Sequence, residues 1–230
     1  MHNLDHKLPT LPYLRASDVL SECRAVKIGS PSVPTDAKFS KMLKGVAEDS
    51  DSLLRKLANG DLTPREWADE FKVLLNDGHT KSWVMGRWLA GDLGDITDDD
   101  RLIGIAYGDT QADFLLGFME DLEGGRYLDD EGKYILSQIQ TRANMYVNLM
   151  RGTSGAAFVA KSDSQEEFNW TLGGAEEHCN DCPDLAAENP WLSDEIYAFP
   201  GDGNTACLSN CKCHLVRVSD GRTSFKPVTL

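Results

Sequence analysis

The cysteines of this 230-residue chain are concentrated in its last quarter, and their placement constrains the fold more than any other sequence feature. Five of the six lie in two short pieces. Cys179 and Cys182 form a C-x-x-C pair, and the second piece is a C-x3-C-x-C run made by Cys207, Cys211 and Cys213. A C-x-x-C turn can bring two sulfurs to one side, where a second group from a distant hairpin completes a four-sulfur set. The pattern therefore predicts a cross-linked C-terminal module.

The chemistry of the cross-link depends on where the protein resides. The start of the chain, MHNLDHKLPTLPYLRAS, lacks the charged start and the apolar run of a signal peptide. No stretch of about 18 apolar residues is present either. We therefore expect a protein that stays in a reducing cytosol, without a membrane, where clustered cysteines bind metal more often than they form disulfides. Zinc takes four such ligands in structural sites and would contribute folding energy to a module too small to build its own core.

Five cysteines for four ligand positions leave the set of ligands open. The preferred set is Cys179, Cys182, Cys207 and one of the remaining two. Alternate residues of a strand point to the same side, so Cys211 and Cys213 could also both bind the metal. Two further candidate ligands are His178 and His214.

Three other interpretations of the cysteines remain. Disulfides would form if the protein leaves the cell inside a particle and meets oxidising conditions. A redox C-x-x-C pair usually lies between a strand and a helix start, whereas 181–184 is loop-like and contains a proline. Burial of the thiols as plain hydrophobic side chains is the third. Cys23 stands apart and is expected on the face of a helix.

The middle of the chain predicts helices. Several segments begin with capping residues and continue with apolar residues at helical spacing, as after Thr63, whose proline and glutamate follow in capping-box positions. We expect four or five helices in residues 36–160, with Gly78 as a possible interruption. The last long helix is expected to start at the acidic run after Leu128, and a separate short helix to cover Ser154–Ala160.

The two ends of the chain differ from this middle part. The first 34 residues contain four prolines and predict an extended arm with one helical piece near Ala16–Val26. After about residue 165 the periodicity predicts a strand in FNWTLGG and a strand–turn–strand hairpin in CKCHLVRVSDGRTSFKPV. The prediction is a mainly α fold with three parts: an extended arm (1–34), a helical bundle-like region (35–164), and a small cysteine-rich loop and β-hairpin module (165–230).

Charge and side-chain chemistry exclude several functions. The net charge is −14, and from Trp170 onward nine Asp and Glu face four Lys and Arg. Nucleic-acid binding proceeds through clustered Lys and Arg, so we expect no sequence-specific nucleic-acid binding. His79 has no nucleophile or acid near it in sequence and is expected to be a polar residue near a helix end. The acids Asp92, Asp95, Asp98, Asp99 and Asp100 are not followed by the glycine and terminal glutamate that an EF-hand calcium loop places at fixed positions. We therefore do not expect an enzyme.

The C-terminal quarter resembles the cysteine-rich module of the head-morphogenesis family, the minor head proteins of tailed bacteriophages. In that family a tryptophan precedes a C-x-x-C pair, a Gly- and Pro-containing loop, and a Cys-basic-Cys run followed by apolar residues. The matching pieces here are Trp170, HCNDC at 178–182, FPGDGNTACLSN at 199–210 and CKCHLVRV at 211–218. Many relatives place a histidine before the final cysteine pair, where this chain has Cys207, so a cysteine would replace that ligand.

The resemblance implies a structural role in the virion. Such proteins lie in few copies in the head near the portal vertex and join capsid assembly in the host cytoplasm, so the implied partners are the portal protein, the major capsid protein or both. The resemblance covers about a quarter of the chain. Two alternatives stay open: an adaptor that binds proteins through a zinc-stabilised module, and a hydrolase with a catalytic zinc, which would need an open coordination position.

Overall fold

The computed structural model describes residues 30–174 and 177–230, and this part of the chain is mainly α-helical, as predicted. Its helices are α1 (Asp36–Ala58), α2 (Pro64–Ala90), α3 (Asp98–Asp109), α4 (Ala112–Glu123), α5 (Leu136–Ala160), α6 (Asp181–Ala187) and a 3₁₀ turn (Leu208–Asn210). The strands are β1 (Glu167–Thr171), β2 (Trp191–Leu192) and β3 (His214–Arg217). They form an antiparallel sheet in the order β2-β1-β3. Most of the predicted arm, its helical piece and Cys23 lie outside the described residues. None of the described helices has the length and apolarity needed to cross a membrane.

Capping residues fix the starts of the first three helices. The hydroxyl of Thr35 accepts a hydrogen bond of 3.2 Å from the backbone N–H of Lys38. Thr63 and Glu66 form the predicted capping box, and Thr97 forms another with the aspartate three residues later. These side chains satisfy N–H groups that have no partner within the helix.

The helices differ from the prediction in two places, and turn chemistry explains the first of them. The acidic run after Leu128 does not begin a helix, because the Asp129 carboxylate accepts hydrogen bonds of 2.9 Å from the N–H groups of Glu131 and Lys133. It thereby closes a turn, and Leu128 and Tyr134 form an isolated β-bridge across it. Helix α5 starts only at Leu136 and then continues without a break to Ala160, so the expected short helix is its last part.

The second difference concerns Gly78, which does not interrupt α2. The helix runs through this position without a break. A glycine is needed there because a Cβ would lie 2.3 Å from the terminal carbon of Met150 on α5. This glycine therefore serves close packing between two helices, at some cost in helix propensity.

One hydrophobic core joins the helices to the cysteine-rich tail. Phe39 of α1 stacks on Phe225 near the C-terminus with ring centres 4.1 Å apart, and Phe158 of α5 meets Phe168 of β1 edge to face at 5.3 Å. The small size of the tail suggested that the cysteines alone hold it together. The structure shows that the tail also packs on the helices. Ten consecutive residues of α5, Met150–Val159, are all buried.

The predicted hairpin is present in part. Strand β3 pairs with β1 so that Leu215 lies opposite Trp170. The Asp-Gly turn forms, with Gly221 at a φ of 71°. The residues after the turn make only an isolated bridge between Thr223 and Val216, so the second limb of the hairpin is not a regular strand.

Candidate metal centre

The fold brings all five C-terminal cysteines together. Cys179 lies just before α6 and Cys182 in its first turn. The expectation that 181–184 is loop-like was therefore wrong, because a helix begins at Asp181 and accommodates Pro183 in its first turn, where no N–H partner is needed. Cys207 and Cys211 flank the 3₁₀ turn, and Cys213 directly precedes β3. Three of them (Cys182, Cys211 and Cys213) are 1 % exposed, and the other two are half-buried. The ends of two short helical segments and the start of a strand therefore position the five sulfurs.

Cys182 is the centre of the cluster. Its sulfur lies 3.3 Å from that of Cys179, 3.7 Å from that of Cys207 and 3.7 Å from that of Cys211. A tetrahedron with metal–sulfur bonds of about 2.3 Å has sulfur–sulfur edges of about 3.8 Å, whereas a disulfide bond measures about 2.05 Å. All five are free thiols. The separations are therefore close to those that thiolates around one ion would have, so these cysteines could hold a metal ion.

The sulfurs form two overlapping groups, each with its ligand atoms within 4.8 Å of one another. One group contains Cys179, Cys182 and Cys207, and the other contains Cys182, Cys211 and Cys213. Neither His178 nor His214 belongs to a group of this kind among the described residues. The cysteines could hold a metal ion, and Cys182 belongs to either arrangement.

Backbone N–H groups point at several of the sulfurs. Cys179 accepts hydrogen bonds from the backbone of Cys182 and of Cys207. Cys211 accepts one from the backbone of Cys213, whose own sulfur accepts one from the backbone of Gly173. Hydrogen bonds of this kind favour the charged thiolate over the thiol, and the thiolate is the form that binds metal.

The pKa values of the thiols diverge because they share the buried space. Burial raises the pKa of Cys182, and burial together with the neighbouring thiols raises that of Cys207 to about 11. Cys211 also has a raised pKa, chiefly through its hydrogen bond with Cys213 and then through burial. That same hydrogen bond lowers the pKa of Cys213. For Cys179, burial raises the pKa, but hydrogen bonds from Cys182 and Cys207 outweigh it. Without a cation, only part of the cluster can be ionised, so a metal ion would displace protons on binding.

A buried arginine lies against the cluster, and the sequence analysis missed it. Arg151 of α5 is 4 % exposed. Its guanidinium donates hydrogen bonds to the backbone carbonyls of Cys211 and Cys213, the second at 2.8 Å. Burial lowers the pKa of Arg151, while the nearby cysteine sulfurs raise it. A sequence signal was present, since Arg151 is the one charged residue in the stretch 143–160.

Glycines let the tail approach this part of α5. A Cβ at Gly152 would lie 2.4 Å from the Cα of Asp202, and one at Gly201 would lie 2.8 Å from the guanidinium of Arg151. Gly173, which supplies an N–H to Cys213, touches the backbone of Lys212 in the same way. The loop before the second cysteine group can therefore lie directly on the helix.

Comparisons with known proteins add no relative. No protein-family model, no curated protein and no solved structure matches the chain.

Proposed function

We propose that this chain is a structural protein of a tailed-phage head whose C-terminal module is held together by one zinc ion. The observation that carries the zinc proposal is the position of Cys182, whose sulfur lies within 3.7 Å of three other cysteine sulfurs. A structural zinc is bound by four thiolates or by thiolates and histidine, in a module that needs the metal to fold. Cysteine-only tetrahedral sets suit zinc or iron–sulfur chemistry. Of these two we favour zinc, because this buried cluster lies in a small loop-rich tail of the kind that structural zinc holds together.

The donor set argues against a catalytic zinc. A catalytic site keeps one position open for water and usually includes histidine or a carboxylate among its three protein ligands. The groups near Cys182 contain cysteines only. Four thiolates would close the coordination sphere, so we do not propose a hydrolase.

The proposal for the virion rests on the order of the motifs in the tail. Trp170, the C-x-x-C pair, the Gly- and Pro-containing loop and the final Cys-Lys-Cys follow one another as in the head-morphogenesis family. The proposed partners are the portal protein, the major capsid protein or both, and the proposed location is the head near the portal vertex. The acidic helical surface suits contacts with proteins better than contacts with nucleic acid.

Metal analysis tests the zinc proposal first. The full chain is purified without chelator, its metal content is measured, and its thiols are counted before and after denaturation with chelator. The expected result is one zinc per chain, with about one or two thiols reactive in the native state, because zinc takes four ligands, and all six reactive after denaturation with chelator. A chain with no metal and fewer than six thiols would instead contain disulfides, and the zinc proposal would be wrong.

Binding to the portal protein tests the role in the virion. The purified zinc-bound chain is mixed with the portal protein of the phage genome that encodes it, and complex formation is followed by analytical ultracentrifugation. We expect a complex in few copies per portal ring. If the chain binds neither portal nor major capsid protein but retains its zinc, the protein-binding adaptor becomes the better interpretation.

A further inference from the structure

A second candidate site lies beside α5, outside the cysteine cluster. A cavity of about 430 Å³ opens between α2, α3, α5 and the loop 196–204. It is large enough for a small organic molecule. The metal cluster is not part of it, because no cysteine lines its wall.

Aromatic rings form much of the cavity wall. Trp83 of α2 and Tyr107 of α3 have ring centres 6.0 Å apart, and Tyr107 also stacks on the imidazole of His79 at 6.2 Å. Tyr197 and Phe199 line the wall from the loop. Electron-rich faces grouped in this way attract organic cations, most strongly from tryptophan and tyrosine.

The histidine in this wall is neutral and fixed. The sequence suggested that His79 lies near a helix end. In the structure it lies in the middle of α2, where its side chain is 1 % exposed. Its Nδ1 is 2.7 Å from the hydroxyl of Thr153 and its Nε2 is 2.5 Å from the amide nitrogen of Gln111. Burial lowers the pKa of His79 to about 3. It therefore adds a polar wall without positive charge.

One carboxylate lines the cavity. Asp202 is held in place by hydrogen bonds of 2.8 Å from the backbone N–H of Phe199, and from the backbone and side-chain N–H groups of Asn204. It is the only carboxylate among the described residues of the cavity wall, which contains no lysine or arginine. Burial raises the pKa of Asp202 despite these hydrogen bonds. The cavity thus combines one carboxylate with aromatic side chains.

Two buried polar atoms of the wall lack a partner within the described chain. They are the side-chain oxygen of Gln111, a residue 4 % exposed, and the indole nitrogen of Trp83, a residue 2 % exposed. A buried polar atom without a partner is costly, so such atoms often mark the place of a ligand. Gln111 would accept a hydrogen bond and Trp83 would donate one.

We propose that this cavity binds a small organic ammonium ion that also carries a hydroxyl group. The cation would lie against the rings of Trp83 and Tyr107 and near the carboxylate of Asp202. The hydroxyl group would donate a hydrogen bond to the side-chain oxygen of Gln111 and accept one from the indole N–H of Trp83. Both unpaired atoms would then have a partner. No described residue brings a cation into the wall to compete with it.

Choline and its neutral counterpart test the proposal on the full chain. In choline the ammonium carries three methyl groups, and 3,3-dimethylbutan-1-ol has the same shape without the charge. Binding is followed by NMR through the indole N–H signal of Trp83, assigned with Trp83→Phe. We expect a saturable shift with choline and an affinity for the alcohol that is about tenfold weaker or more.

Variants locate the binding. Asp202→Asn is expected to weaken choline binding about tenfold, whereas Asp69→Asn, the same change on an exposed part of α2, is expected to leave it unchanged. If Asp202→Asn fails to fold, Tyr197→Ala removes a ring that is 48 % exposed and should weaken choline binding about fivefold. Equal affinity for choline and the alcohol would overturn the proposal. So would the absence of a Trp83 shift with both choline and tetramethylammonium, or full binding by both variants.

Discussion

The guanidinium of Arg151 donates a hydrogen bond of 2.8 Å to the backbone carbonyl of Cys213. A second hydrogen bond reaches the carbonyl of Cys211. One side chain of α5 therefore holds the backbone on both sides of Lys212 in the final cysteine run. Its positive charge also lies beside sulfurs that carry negative charge when they bind a metal.

Arg151→Met should destabilise the protein by about 2–4 kcal/mol, because it leaves two buried carbonyls without donors. The same variant should release zinc to a chelator faster than the wild type, since the charge beside the thiolates is lost. Urea unfolding and stopped-flow chelation measure the two effects. Arg142→Met on the same helix is the control, and its half-exposed side chain over Phe118 should cost about 1 kcal/mol or less. Equal effects of the two variants would contradict the role of Arg151.

Cys182→Ser should abolish high-affinity zinc binding, because Cys182 belongs to both groups of sulfurs. Cys207→Ser and Cys213→Ser each remove a member of only one group, so one of them should retain the metal more strongly than the other. Zinc affinity measured by competition with a chelator ranks the three. If Cys182→Ser binds zinc as tightly as the wild type, the cluster is not centred on that residue.

Gly152→Ala should destabilise the protein by about 2 kcal/mol or more, although alanine is the better helix former, because the added methyl group meets the backbone of Asp202. Gly45→Ala in α1 is the matched control. Nothing lies within 4 Å of its new Cβ, so this variant should gain about 0.5–1 kcal/mol. Thermal and urea unfolding of both variants measure the difference in sign.

His79 should make the free energy of unfolding depend on pH. Its pKa in the folded chain is lowered to about 3 from the ordinary value of 6.5, so between these values the unfolded chain binds a proton that the folded chain does not. The stability that His79 provides is therefore present above pH 6.5 and is lost as the pH falls, by up to about 1.4 kcal/mol per pH unit. His79→Gln should show a flatter profile between pH 7 and 4. The cysteine cluster responds to acid in both proteins, so the difference between their urea midpoints isolates the histidine.

Much of the fold could be predicted from signals that act over a few neighbouring residues. The capping box after Thr63 predicted a helix start because a cap acts on N–H groups within one turn. Spacing within each piece also predicted which neighbouring sulfurs could share an ion, but the approach of the two pieces to each other is a long-range contact.

Long-range contacts explain what the sequence did not reveal. Gly78 looked like an interruption of the helix. The residue that requires a glycine there is Met150, which is 72 positions away in the sequence (150 minus 78). The role of Arg151 depends on carbonyls about 60 residues later. The cavity around His79 is formed by three helices and a loop, and no short segment contains its pattern.

The enclosed stretch Met150–Val159 has a consequence for synthesis of the chain. Its covering comes from α2, which is made earlier, and from β1 and the segment around residues 199–225, which are made later. When α5 has just emerged from the ribosome, the nascent chain therefore exposes the guanidinium of Arg151 and a run of apolar and small side chains. The core can close only after residues 199–225 have been made, and until then the exposed apolar surface is prone to aggregation.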